Sequence, residues 1–145
     1  MTHVDAHMGT MQIMPAYFAI YLKLAIEYRV PLRMAGAADE KRMGFASREP
    51  AREAGVLFPD DFIFQWGEAT ETLLARYLEA LNPGVGEFIL HPVVDGPELR
   101  GYDKTEAGIR VGDYAAAKNN ALRDRIAAQG IKLISFRPLR DAMRS

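Results

Sequence analysis

Short apolar or alternating segments recur between stretches of helical period, and that order restricts the folds open to this chain. The segments are residues 2–7 (THVDAH), 30–34 (VPLRM), 87–92 (EFILHP) and 131–136 (IKLISF). Between the first two, residues 16–28 place Phe18, Tyr21, Leu22 and Ala25 on one helical stripe, with Lys23 and Glu27 four apart on another side. Pro15 suits the first turn, where its missing N–H is not needed. Residues 69–81 form a second amphipathic stretch with Leu74, Tyr77, Leu78 and Leu81 on one face, broken by Asn82 and Pro83. Asp113 reads as the cap of a third helix, YAAAKNNALRDRIAAQ, which Gly130 ends, and RPLRDAMRS as a short terminal helix. The stretch AGAADEKRMGFASREPAREAGV is a long charged excursion beyond the second strand, with room for a short helical turn. Strands alternating with helices predict an α/β fold, a parallel sheet joined by crossover helices.

At 145 residues the chain is one domain's length, and it carries neither internal repeats nor low-complexity segments. Its net charge is −1, with Lys and Arg scattered among Asp and Glu, which disfavours a nucleic-acid surface. It contains no cysteine, which removes disulfides and thiolate metal sites and fits a reducing compartment. No basic, then apolar, leader opens the sequence. The most apolar stretch, PAYFAIYLKLAIEY, is too short and too charged to span a bilayer. The expectation is a cytoplasmic protein without membrane or nucleic-acid partners.

In parallel sheets ligands bind beyond the carboxyl ends of the strands, and His7, Arg33 and His91 all fall near such ends. His3, Asp5 and His7 alternate along one strand and so share a face. Two imidazoles and a carboxylate suit Zn²⁺ or a similar ion, and equally suit a solvated polar strand face. His91 closes an apolar run, as a general acid or base or as a hydrogen-bonded structural histidine. Arg33 is placed to clamp an anion or to form a plain salt bridge. Asp60 and Asp61, after Pro59, read as turn or capping residues. Trp66 and its aromatic neighbours fit either a sugar site or a satellite core under the long loop.

Taken together, THVDAH, Pro15, the helix, VPLR, the distal ILHP and the closing ISFRPL resemble the YdjC-like carbohydrate deacetylases, from Thr2 to about Pro138. The resemblance implies a distorted (β/α) barrel that removes N-acetyl groups from small saccharides with a divalent metal, Zn²⁺ or Mg²⁺. It assigns His7 to the metal and His91 to protonation of the leaving amine. Asp5 and Arg33 become supporting residues around the metal or the substrate, and His3 receives no direct role.

Ala6 stands where the family carries serine, and Met8-Gly9 where many members carry a further histidine. The Asp-Asp pair and second metal histidine that the family places ahead of this motif are not among these residues. The chain therefore reads as a single, incomplete domain over 1–145, a partial (β/α) barrel resembling the C-terminal half of such a deacetylase. It is expected to be inactive or weak alone, and to need a homo-oligomer or an N-terminal half to cover its open sheet edge and apolar face. Two further readings stand beside it. One is a non-catalytic saccharide- or partner-binding half-barrel. The other is a metallohydrolase that assembles its site across a homo-oligomer through His3, Asp5 and His7.

Overall fold

The computed structural model describes residues 1–80 and 82–145 of a mixed α/β protein that is mostly helical. Its contacts divide into two compact units, residues 1–62, 84–87 and 134–145, and residues 63–83 and 88–133.

The first unit is organised by one parallel pairing. Val4 bridges Leu32, with the Val4 N–H donating to the Pro31 carbonyl and the Arg33 N–H to the Val4 carbonyl, both at 3.0 Å. The Leu32 N–H reaches the Leu57 carbonyl at 3.0 Å, so a third extended segment lies beside the second. Between Val4 and Leu32 the chain crosses over through helix α1 (Pro15–Tyr28), with proline in its first turn. Phe18, Tyr21 and Ala25 are buried in the expected stripe and pack with Leu32, Met34, Ala51 and Val56. The Tyr21 hydroxyl lies 2.7 Å from the Val4 carbonyl and 3.0 Å from that of Arg33, sharing its one proton between the two segments. The amide of buried Gln12 accepts from the Ala35 N–H at 2.8 Å and donates to the Arg33 carbonyl at 3.4 Å. It makes the bonds that a neighbouring strand would otherwise make.

Helix α1 ends on Arg29, a non-glycine residue in the left-handed region (φ 49°). The carbonyls left there are taken up by the terminal helix: Arg144 donates to Tyr28 and Arg29 at 3.0 and 3.1 Å. The outer face of α1 exposes Tyr17, Ile20, Leu24 and Tyr28, continued before the helix by Ile13.

The long excursion folds into two short helices, α2 (Ala37–Met43) and α3 (Arg48–Glu53). Arg48 is only 8% exposed; it donates to the carbonyls of Ala35, Pro59 and Asp60 and lies over the Phe58 ring. Glu40 accepts from the Ser47 and Arg48 N–H groups at 2.5 and 2.6 Å and from the Ser47 hydroxyl. Burial pushes its carboxyl up, but these hydrogen bonds outweigh it and hold the group below the usual range.

Strands β1 (Asp61–Ile63) and β2 (Gly86–Phe88) form the regular sheet, and their hydrogen bonds advance together, Asp61 to Val85 and Ile89 to Ile63, as in a parallel pair. These two short strands trace no barrel. Asp60 serves the turn: its carboxylate accepts from the Val85 N–H at 2.8 Å.

In the second unit, helices α4 (Thr70–Glu79) and α6 (Ala107–Lys118) pack together, with α5 (Pro97–Tyr102) and α7 (Asn120–Ala128) completing it. Leu73, Leu74 and Leu78 of α4 are buried and Tyr77 is half-buried; Leu81 lies outside the described residues. The terminal helix of the first unit is α8 (Arg137–Arg144). No helix among the described residues is long and apolar enough to cross a membrane.

Several local expectations differ from the structure: the strand expected over 87–92 pairs only as Gly86–Phe88, and that over 30–34 only as the bridge at Leu32. Residues 2–7 leave the extended form at Met8 and Gly9, both at positive φ (57° and 66°), and wind into a 3₁₀ turn from His7 to Gln12. Residues 131–136 take no strand; Leu133 and Ile134 are exposed, since an apolar run becomes a strand only where another offers it a ladder. The third helix begins earlier and breaks at Asn119, whose side chain caps α7 by accepting from the Leu122 N–H. Asp113 therefore lies inside α6 and caps nothing.

Arg48→Met should cost about 3 kcal/mol or more, because three carbonyls lose a charged donor; urea unfolding followed by circular dichroism measures it. The depressed Glu40 carboxyl contributes stability that is present above its unfolded pKa and lost as pH falls through its lower folded value. Glu40→Gln should therefore lose less stability on acidification than the parent chain, as paired melting curves across the acidic range will read.

Candidate functional site

In the first unit, the pairing of residue 4 with residue 32 brings the ends of both extended segments together. Asp5 follows Val4 and Arg33 follows Leu32, and their side chains meet, Arg33 Nη1 to Asp5 Oδ2 at 2.8 Å. On its other side Arg33 Nε lies 2.9 Å from Glu87 Oε1. That N–H is not aimed at the carboxylate, so the contact is coulombic, and Glu87 Oε2 is also buried without a hydrogen-bond partner among the described residues. The guanidinium lies 5.2 Å from the centre of the Phe62 ring. Burial pushes the Glu87 carboxyl up; Arg33 offsets part of this and the Asp5 charge adds to it. Burial likewise drives the Tyr21 hydroxyl far above its ordinary range, with Asp5 contributing.

His7 is exposed at the start of the 3₁₀ turn. His3 turns to packing: it stacks on Phe136 with ring centres 4.1 Å apart, and burial lowers its pKa, with Arg33 also lowering it and Asp5 opposing. The shared face that alternation predicts for His3, Asp5 and His7 does not become a metal cluster. Among the described residues, no three His, Asp or Glu side chains are grouped to hold an ion. One exposed imidazole is one ligand of the three or more that a divalent ion requires, so these residues do not by themselves fit the metal.

His91 belongs to the second unit, just past β2. Its ring stacks on Trp66 (5.5 Å between centres, 20° between planes), and Phe64 meets both edge-on, at 5.1 Å from His91 and 4.8 Å from Trp66. Its backbone is held by Asp113: the His91 N–H donates to Asp113 Oδ2 at 2.8 Å, and the Thr70 hydroxyl donates to Oδ1. Asp113 is 5% exposed, so a buried carboxylate joins α4, α6 and the His91 segment. A hollow of about 20 Å³, lined by Phe64, Trp66, Glu68, Ile89, His91 and Arg110 among others, lies beside the rings.

Sequence reasoning missed Glu87 and Asp113 as members of these sites. Glu87 carried a signal, since a carboxylate opening the apolar run EFILHP needs a counter-ion once buried. Asp113 sits mid-helix, and only the packing of α4 on α6 reveals what it faces.

A parallel strand–helix–strand unit with an Asp–Arg–Glu cluster at its strand ends defines this as an α/β protein with a polar site of the kind such folds place there. The match to the family described as YdjC-like protein covers residues 1–128, and the chain belongs to that family. Comparison with curated proteins gives no match. Among solved structures, the chain is similar to a "putative cellobiose-phosphate cleavage protein" from Enterococcus faecalis V583, at a TM-score of 0.76 and 20% identity. The likeness covers 95% of this chain and 52% of that one, so the chain spans about half the length of that protein.

Asp113→Leu should destabilise the second unit by about 2 kcal/mol, because the His91 N–H and the Thr70 hydroxyl both lose their acceptor. Asp113→Asn should cost less, since the amide keeps an acceptor and the hydroxyl can reverse its role. Urea unfolding followed at Trp66, with the His91 amide resonance as local reporter, separates the two variants.

Proposed function

We propose that this chain is part of a carbohydrate deacetylase-like domain acting on N-acetylated small saccharides, and that both compact units belong to that one domain, a partial (β/α) barrel. The observation that carries the reading is the meeting of Asp5 with Arg33 at the ends of paired parallel segments, within a chain matched to the YdjC-like family over residues 1–128. In this reading His7 supplies one ligand to a divalent metal, Zn²⁺ or Mg²⁺, while Asp5 and Arg33 support the site. Such a metal, once its other ligands were present, would supply activation of a water.

What this chain's own residues contribute is narrower. Water adds to the acetamide carbonyl, the C–N bond breaks, and protonated His91 gives its proton to the departing nitrogen, leaving a free amine and acetate. Asp113 holds the backbone of His91 at 2.8 Å and so supports the segment that carries the imidazole. Arg33, held between Asp5 and Glu87, keeps the carboxylate of Asp5 anchored beside the His7 turn. In this reading the base and the remaining metal ligands are not among these residues, which span about half the length of the solved neighbour, and the 145-residue chain alone has little or no activity. The exposed stripe on α1 suits an outer layer completed by further protein, whether a second copy or an N-terminal half.

The test is acetate release from N,N′-diacetylchitobiose with Zn²⁺ or Mg²⁺. The purified chain should release little or none, and robust release would overturn the incomplete-site reading. Co-expression with the N-terminal half of a YdjC-like relative should restore release, and His91→Gln should lower the restored rate about 100-fold or more. Restored activity indifferent to His91 would remove it from the reaction.

A further inference from the structure

We propose that the exposed indole of Trp66 is a stacking platform for one pyranose ring of a neutral saccharide, seated beside His91. The proposal rests on the saccharide reading above and adds to it a residue that contacts the sugar.

Tryptophan is highly buried on average, yet the chain's one tryptophan is 52% exposed. It is not loosely held. His91 stacks on it at 5.5 Å and Phe64 packs edge-on at 4.8 Å, so two rings fix its orientation while half of its surface meets solvent. An aromatic surface fixed in advance loses little freedom when a ligand settles on it. Its π-face is electron-rich and complements the weakly positive C–H groups on one side of a pyranose.

The charges around it select against other ligands. Glu68 pairs with Arg76 at 2.9 Å and Arg110 with Asp103 at 2.6 Å. Glu106 accepts from the Gly67 N–H, and Asp113 is taken by Thr70 and the His91 N–H. Each of these arginines is thus balanced by its own carboxylate, while Glu106 and Asp113, which accept only from neutral donors, leave the surroundings net negative. A phosphate or nucleotide finds repulsion there, and a neutral ring with an apolar face and polar edges does not. The adjoining hollow of about 20 Å³ holds about one water and no sugar ring, so the sugar lies on the indole at the surface.

The experiment follows Trp66 fluorescence on titration with N,N′-diacetylchitobiose and, separately, cellobiose, both with EDTA present. A saturable change with either sugar, half-complete at roughly millimolar concentration, is expected. Saturation-transfer NMR on the sugar C–H protons provides a readout that survives loss of the fluorophore. Trp66→Leu keeps apolar packing against His91 and Phe64 but removes the π-face. It should melt near the parent temperature and weaken binding by about tenfold or more. No saturable change with either sugar, or binding by Trp66→Leu within about twofold of the parent, would overturn the platform. Cellobiose carries no acetamide and the assay needs neither metal nor turnover. The platform can therefore fail while acetate release in the reconstituted assay succeeds, and the reverse.

Discussion

Parallel segments cannot be joined by a tight turn, so pairing Val4 with Leu32 obliges the chain to cross over between them, and α1 makes that crossing. Much of the first unit follows from this constraint. The helix must bury one stripe on the paired segments, and Phe18, Tyr21 and Ala25 supply it. The pairing itself is only one bridge long, and side chains extend it. The Tyr21 hydroxyl lies between the Val4 and Arg33 carbonyls, and the Gln12 amide serves residues 33 and 35. A tyrosine and a glutamine thus take over work that backbone ladders do in longer sheets.

The same pairing sets the electrostatics of the site. Because residue 4 lies against residue 32, the next residues along each segment, Asp5 and Arg33, are neighbours, and a guanidinium is held between two carboxylates. The arrangement is unevenly satisfied. Asp5 is hydrogen-bonded, while Glu87 is buried with one oxygen unpartnered among the described residues and its carboxyl pushed up. In the second unit a buried carboxylate also holds a histidine-bearing segment, but there the contacts are neutral donors, the Thr70 hydroxyl and the His91 N–H. One carboxylate is anchored by charge and the other by hydrogen bonds.

The helices were largely legible because their signals are local. Pro15 and the Phe18–Tyr21–Ala25 spacing place α1, and Thr70–Glu79 and Arg137–Arg144 appear where their patterns predict them. Strands were less legible, since a strand needs a partner that a single segment does not reveal. Residues 131–136 have strand composition and form none, while THVDAH shortens to a bridge because Met8 and Gly9 turn the backbone away. Asp113 shows the same limit on a helix: its residue type suits a cap, but the break falls at Asn119 and Asp113 faces inward.

For the site, the sequence by itself supplied the candidates: His7, Arg33 and His91 near the ends of expected strands, and Asp5 within the first motif. It did so because motif and spacing are properties of the chain, and family membership over residues 1–128 rests on the same information. Only the tertiary structure decided which of these groups meet. Asp5 found Arg33, Glu87 joined them from a segment far along the chain, His3 went to Phe136, and His91 was fixed by Asp113 and stacked on Trp66. The reason is physical: a side chain's partner is set by which backbones pack together, and that depends on burial and hydrogen bonding between residues distant in sequence.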